Sequence, residues 1–327
     1  MIVSYDTIKL KPPYTITHTV LALVASISEK IGRADVLHLQ KPPAQLRKKN
    51  RIKTIQSTLE IEGNTLSLEQ VTGILENKRV SGPLKDITEV QNAIAAYGNL
   101  DEFRIYSLTS LLNAHALLMH GLIEHAGQLR SKQVGIVKGK NVAHLAPPAH
   151  IVKPLLKNLF TYLKKDKDPL LIKSCVFHYE FEFIHPFTDG NGRVGRLWQT
   201  LLLKAYVPVF EYLPIEAIIR ERQAEYYGAL SASDKAGNST QFIEFMLSVI
   251  DTSLEDLLKT RVPVLDATER MNLFREVIKQ KPFTRKDYLQ HFKELSTATA
   301  SRDIKLAVVN GMLNKTGDKK TSKYMFL

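Results

Sequence analysis

The sequence predicts a mainly α-helical protein that carries one β-hairpin. Three observations predict it. Apolar residues recur at three- and four-residue intervals along most of the chain, strict alternation is scarce, and helix-breaking Gly, Pro and Asn residues separate the periodic runs.

Taken in order, the helical runs are ITHTVLALVASISEKIGRADVL, QLRKKNRIKTIQSTLEI, SLEQVTGILENKRV and TEVQNAIAAYGNLDEF. SLTSLLNAHALLMHGLI, HIVKPLLKNLFTYLKK and TQFIEFMLSVIDTSLEDLLK repeat the pattern. Gly63-Asn64, Ser81-Gly82-Pro83 and Asp166 to Pro169 read as stops. HYEFEFIH (178–185) alternates as a strand would, but the preceding PLLIKSCVFHYEF is long and apolar enough to continue as a buried helix, and helix is the expectation. KQVGIVKGKNVAHLAPPAH (132–150) departs from the habit. Its β-branched residues flank Gly139-Lys140-Asn141 and Pro147-Pro148 follow, which predicts a hairpin with its tip near Gly139.

At 327 residues, with 44% hydrophobic and 24% charged, the chain can bury two or three cores without staples. The expected division is an N-terminal helical region (1–90), a core (91–260) and a C-terminal module (265–327). The single Cys175 excludes an internal disulfide framework and sits in the apolar run LLIKSCVFHY as a buried thiol. A reducing, cytoplasmic setting is the default. VLALVASI (20–27) is too short to span a bilayer and lies too far from the start for a signal sequence. The formal charge is +12. From Arg270 onward 13 Lys or Arg face 5 Asp or Glu, a net of +8, so most of the excess lies in the last module.

The stretch IHPFTDGNGRVGR (184–196) crowds a histidine, an acid, an asparagine between glycines and two arginines into a few positions. Gly190-Asn191-Gly192 can point successive N–H groups into one concavity, and a helix opening near Arg193 adds its positive end. Arg193 and Arg196 share a helical face, and guanidinium forks suit phosphate oxygens. Asp189 is a hard oxygen ligand suited to Mg²⁺ between phosphates. His185, with an ordinary pKa near ~6.5, can take a proton from a hydroxyl. A polar turn with solvated arginines is the bland reading; the density of special residues favours phosphoryl or nucleotidyl transfer, which is mostly positioning and charge neutralisation.

At these residues the chain resembles the Fic family, whose signature H-x-F-x-[DE]-G-N-G-R-x-x-R is filled by His185, Phe187, Asp189, Gly190, Asn191, Gly192, Arg193 and Arg196. The resemblance implies a helical Fic bundle that transfers AMP from Mg-ATP to a protein Ser, Thr or Tyr hydroxyl, its own included. It makes His185 the general base, Phe187 a core anchor, Asp189 the Mg²⁺ ligand, and Gly190, Asn191, Gly192, Arg193, Val194, Gly195 and Arg196 the nucleotide site. Arg193 is assigned to the β-phosphate and Arg196 to the γ-phosphate. QLRSKQVGIVKG resembles the family's flap, which would align a target segment by strand addition along Val134, Gly135, Ile136 and Val137. RERQAEYYGALSASDKAGNSTQFIEFM resembles the stretch in which Tyr226, Tyr227 and Asp234 approach the nucleotide, although aromatic pairs also serve as core. About 17–250 can be laid on the family.

Upstream, STLEIEGNTL (57–66) places Thr58 and Glu62 one helical turn apart, before Gly63. Alone this reads as a solvated acidic helix end. Beside the signature, Thr58, Glu62 and Gly63 resemble the [ST]-x-x-x-E-[GN] inhibitory helix, in which Glu62 would pair with Arg196 and displace the γ-phosphate. By the same analogy Glu62 could instead orient water to remove AMP from a modified target. A homodimer is within this expectation.

After TRVPVLDATER (260–270), read as a linker, the order helix, short helix capped at Thr284, helix capped near Ser296 or Thr297, then Lys-rich hairpin resembles a winged helix-turn-helix. Arg302 and Lys305 lie on its second, recognition helix, and NKTGDKKTSKYMFL is the wing. The charge suits DNA, while protein contacts and dimer packing remain equal alternatives. Two rival functions differ in class: an ATP-sensing winged-helix regulator without transferase activity, and a metal hydrolase using His178, Glu182 and His185. GIVKGKN lacks the spacing of a Walker loop.

Overall fold

A computed structural model describes residues 11–37, 39, 42–138, 141–259, 266–292, 295–318 and 322–327. The chain forms two compact units, one ending at Lys259 and the other comprising 260–327.

The first unit is mainly helical, as expected. It runs α1 (His18–Val36), α2 (Ala44–Glu60), α3 (Leu68–Leu75), α4 (Leu84–Gly98), α5 (Leu108–Leu118), β1 (Gly135–Lys138), β2 (Asn141–Leu145), α6 (Ala149–Lys165), α7 (Leu170–Ile184), α8 (Asn191–Tyr206), α9 (Ile215–Glu221), α10 (Gln223–Ala236) and α11 (Thr240–Lys259). α7 and α8 form its centre. Eleven of the fifteen residues of α7 are buried, since α6, α8 and α11 surround it, and a helix apolar on most sides is stable only when enclosed. HYEFEFIH is therefore the end of a helix. Phe160, Phe177, Phe181 and Trp198 stack edge and face where α6, α7 and α8 meet. Cys175 lies among them, and burial pushes its thiol up to about 12, so it is inert.

Several boundaries differ from expectation. α3 ends at Leu75, short of ENKRV, because Asn77 takes a left-handed conformation (φ 55°) and Lys78 N–H closes back on the Gly73 carbonyl at 2.8 Å. α2 ends at Glu60, so Glu62 stands in the turn that follows rather than on the helix, and Gly63 adopts φ 91° to make that turn. The hairpin forms as expected, with Gly135 opposite Leu145 and Lys138 opposite Asn141. Its expected tip, Gly139-Lys140, lies outside the described residues.

The second unit contains α12 (Ala267–Ile278), α13 (Arg285–His291), α14 (Thr297–Val309) and the antiparallel pair β3 (Leu313–Thr316) and β4 (Lys323–Phe326). Asp266, Thr284 and Ser296 cap the three helices. Phe283, between α12 and α13, bridges to Tyr324 of β4. Phe274, Phe283, Tyr288, Phe292, Ile304 and Phe326 make the core. Residues 260–265 of the expected linker and 319–321 of the expected wing lie outside the described residues. No helix among the described residues is long and apolar enough to cross a membrane.

Candidate active site

The link between α7 and α8 is built from the signature. His185 caps α7 in the left-handed region (φ 49°, ψ 61°), a conformation that costs a non-glycine residue about 1–2 kcal/mol and that turns the chain out of the helix. Gly190 caps α8, also left-handed (φ 81°), and its missing side chain is doubly required because a Cβ there would collide with Met119 Sδ. α8 opens at Asn191, two residues earlier than expected, and no side chain caps it. The N–H groups of its first turn point out of the helix end as an anion cradle.

Phe187 is the anchor the sequence suggested: it is fully buried and stacks on His115 at 3.6 Å with the rings nearly parallel. His115 itself was not foreseen. Its Nδ1 accepts from Gly127 N–H at 2.7 Å, which makes Nε2–H the donor to the Asp189 carbonyl at 3.0 Å. Burial holds its pKa below the ordinary value, so it is a neutral strut beneath the loop.

Asn191 was expected at the phosphates. Its buried amide instead exchanges two hydrogen bonds with Phe187, accepting from the N–H at 2.9 Å and donating to the carbonyl at 3.0 Å. Only its backbone N–H remains for an anion; the side chain ties the loop to itself.

Arg193 is 4% exposed and divided between two acids, Glu89 on α4 at 3.0 Å and Asp189 at 2.9 Å. Glu89 escaped sequence reading, as did Asn64, which lies in the turn behind Glu62 and donates its Nδ2 hydrogen to the other Glu89 oxygen at 2.8 Å. Asp189 Oδ1 takes Arg193 and the Gly190 N–H, and the side chain is half-exposed, which leaves Oδ2 for a cation. One carboxylate beside an anion cradle fits Mg²⁺, which binds through one or two carboxylates plus substrate phosphates. No group of three metal-binding side chains exists among the described residues, so the hydrolase alternative lacks its ligand set. In particular His178 is spent: Nδ1–H donates to Gln199 at 2.6 Å and Nε2 accepts the Tyr226 hydroxyl at 3.1 Å. Burial drives its pKa down to about 3.

Arg196 is almost fully buried. Its Nε donates to Thr58 Oγ1 at 2.8 Å, and Nη2 donates to the Thr58 carbonyl at 2.9 Å and to Glu62 Oε1 at 2.6 Å. Burial opposes its charge, but Glu62 together with Tyr226 and Glu182 more than offsets this and raises its pKa. The same carboxylate oxygen occupies the space above Gly192: a Cβ built there would collide with it. Val194 is core, and Gly195 lets α8 approach α7 where Glu182 and Phe181 leave no room for a side chain.

Tyr226 is core, not site, at 2% exposure. Tyr227 stands exposed beside it. Asp234 accepts the Tyr179 hydroxyl at 2.9 Å, and its charge together with burial pushes Glu180 up to about 7. In the hairpin, Val134 is half-buried and Gly135, Ile136 and Val137 lie on β1. Arg130 was also missed.

The family model of the Fic/DOC family matches residues 105–203. The crystal structure of a Fic family protein from Desulfovibrio desulfuricans G20 superposes with a TM-score of 0.75 at 40% identity, covering 97% of this chain and 98% of that one. Protein adenylyltransferase fic-1 of Caenorhabditis briggsae is 29% identical over 241 residues, which is 68% of this chain and 45% of that protein. The Caenorhabditis elegans protein of the same name is 28% identical over 257 residues, 71% of this chain and 48% of its own length. The chain thus spans about half the length of the curated relatives it matches.

Proposed function

Since the chain belongs to the Fic/DOC family, we propose that it is a protein adenylyltransferase, which moves AMP from Mg-ATP to a Ser, Thr or Tyr hydroxyl of a protein target. The observation that carries this reading is the single link that ends α7 with His185 and opens α8 with an uncapped positive end. The cradle N–H groups of α8 hold the phosphates, with Arg193 and Arg196 as charge clamps. Asp189 is the Mg²⁺ ligand, and the ion, when bound, neutralises charge on the phosphate oxygens. His185 takes the proton of the target hydroxyl while its oxygen attacks the α-phosphorus. The bond from that phosphorus to the bridging oxygen breaks, and pyrophosphate leaves with the electron pair. Self-modification is the same reaction on a hydroxyl of this chain. Tyr227 and Asp234 complete the nucleotide site, and the hairpin aligns the target by strand addition.

Glu62 acts as a brake in this reading. Its pairing with Arg196, supported by Thr58, removes the clamp meant for the γ-phosphate, and its position over Gly192 closes the cradle. Arg196 is buried but Glu62 is not, so opening the pair costs less than the about 3–5 kcal/mol of a fully buried one. Driving a two-state equilibrium from 1:99 to 99:1 takes about 5.5 kcal/mol, so one carboxylate makes a strong but leaky brake. Removal of AMP, with Glu62 orienting water, belongs to the same site.

The second unit is read as a winged helix-turn-helix, supported by its element order and by the Phe283–Tyr324 bridge. Arg302 and Lys305 are exposed on α14, which suits DNA; exposed Leu306 and Val309 on the same helix suit protein or a second copy. Loss of DNA retention on deleting 265–327 favours the first. The proposed division is inhibitory region 1–90, catalytic core 91–260 and winged module 265–327, in a cytoplasmic protein.

The deciding experiment uses Glu62→Gly enzyme, Mg²⁺ and ATP labelled at either the α- or the γ-phosphate. Label arriving on protein only from the α position supports AMP transfer. Label from γ alone means kinase chemistry. ATP binding with no label from either favours the ATP-sensing regulator.

A further inference from the structure

Arg130 is 4% exposed, and among the described residues no carboxylate meets it. Its guanidinium is satisfied wholly by main-chain carbonyls: Nε donates to His185 at 2.8 Å, Nη2 to Pro147 at 2.5 Å and Ile184 at 3.3 Å, and Nη1 to Lys132 at 3.1 Å. Its own N–H donates to the Pro186 carbonyl at 2.9 Å. Burial lowers its pKa relative to an ordinary arginine.

These partners come from two places. Ile184 and His185 supply carbonyls at the end of α7, where the helix leaves acceptors unsatisfied and its dipole favours a cation. Lys132 and Pro147 flank the hairpin, and Gln133 Nε2 closes the same base by donating to the Ala146 carbonyl at 2.5 Å. One rigid fork therefore joins the left-handed residue that carries the imidazole to both feet of the hairpin.

We propose that Arg130 is a positioning residue for the transfer, which fixes the His185 backbone and the hairpin base as one body so that base and aligned hydroxyl keep a constant separation. The inference rests on reading His185 as the base. It assigns nothing to nucleotide binding, because the cradle side of the link is held by other groups: Arg193 by Glu89 and Asp189, Asn191 by Phe187. Lysine cannot replace the fork, since one ammonium cannot reach carbonyls spread over three chain segments.

The experiment places Arg130→Lys and Arg130→Met in Glu62→Gly enzyme and reads three quantities: kcat for transfer from α-labelled ATP, KM for ATP, and ATP affinity by calorimetry. The expected result is a kcat lower by about 10- to 100-fold, as a misplaced reacting group gives, with KM and affinity within about twofold of the parent. An unchanged kcat overturns the proposal. So does a loss of ATP binding in step with the loss of transfer, which would mark Arg130 as a general support of the fold. Absence of transfer in the Glu62→Gly parent would instead remove the underlying reading of the site, a separate failure.

Discussion

Glu62 Oε1 stands over the Cα of Gly192, in the volume that any side chain at that position would need. The carboxylate and the N-terminus of α8 are thus in direct register, and an anion arriving at the cradle must take the place of one already there.

Gly192 is small because the cradle must stay open, not because its backbone demands it; only Gly190 of the pair has a positive φ. In Glu62→Gly enzyme, Gly192→Ala should lower ATP affinity about tenfold or more by placing a methyl where phosphate must come. Gly228→Ala, whose Cβ meets nothing within 4 Å, should leave it unchanged. Calorimetry on the pair decides, and equal affinities would show that the cradle lies elsewhere.

The turn that carries Glu62 is tied down by Asn64, which donates to the Asp86 carbonyl at 3.1 Å and to Glu89 at 2.8 Å. Asn64→Ala removes both bonds and should loosen the brake without touching Arg196, raising initial labelling by about fivefold or more, the worth of at least one buried hydrogen bond. In the Glu62→Gly background the same change should add nothing. Additive effects would mean that Asn64 acts by another route.

Glu180 titrates upward because it is buried and faces Asp234, itself the acceptor for Tyr179. A carboxyl raised in the folded state contributes stability that is full below about pH 4.5 and is lost as pH rises through about 7. Glu180→Gln should therefore nearly match wild type in urea denaturation at pH 4 and exceed it by about 1–3 kcal/mol at pH 8. A constant difference at pH 4 and pH 8 would refute the assignment.

In the second unit Arg270 grips Asp303 through two bonds of 2.7 and 2.8 Å, and the Tyr288 hydroxyl adds a third at 3.1 Å. Asp303→Ala strands a buried guanidinium, at a cost of about 3–5 kcal/mol. Amide exchange should quicken across 267–327 and keep its rates in α7 and α8. Uniform quickening through both units would count against this local account.

How legible was the site in the sequence? The local part was. Spacing alone put His185, Asp189 and the two arginines on one link, and the apolar run ahead of them settled α7 as helix. The contact of Glu62 with Arg196 came from the family resemblance and not from spacing alone, since Glu62 lies in the turn beyond α2 and only the folded chain brings it beside Thr58. The supports were hidden, since each is a long-range partner with no periodic mark. Glu89 lies 104 residues from Arg193, and Arg130 lies 55 from His185. Asn191 was legible only in part for a related reason: its amide can serve a ligand or its own loop, and its bonds to Phe187 exist only in the folded chain. Asn77 ended α3 early because asparagine tolerates a left-handed turn nearly as glycine does, a signal present in the sequence but weak.

Glu62 and Arg196 belong to one polypeptide, so dilution cannot separate them. A free anion seeking that guanidinium meets a tethered rival at a fixed effective concentration. Its apparent affinity is scaled by the fraction of molecules in which the pair has opened. Titration with inorganic pyrophosphate, before and after Glu62→Gly, would therefore measure how often this contact breaks on its own.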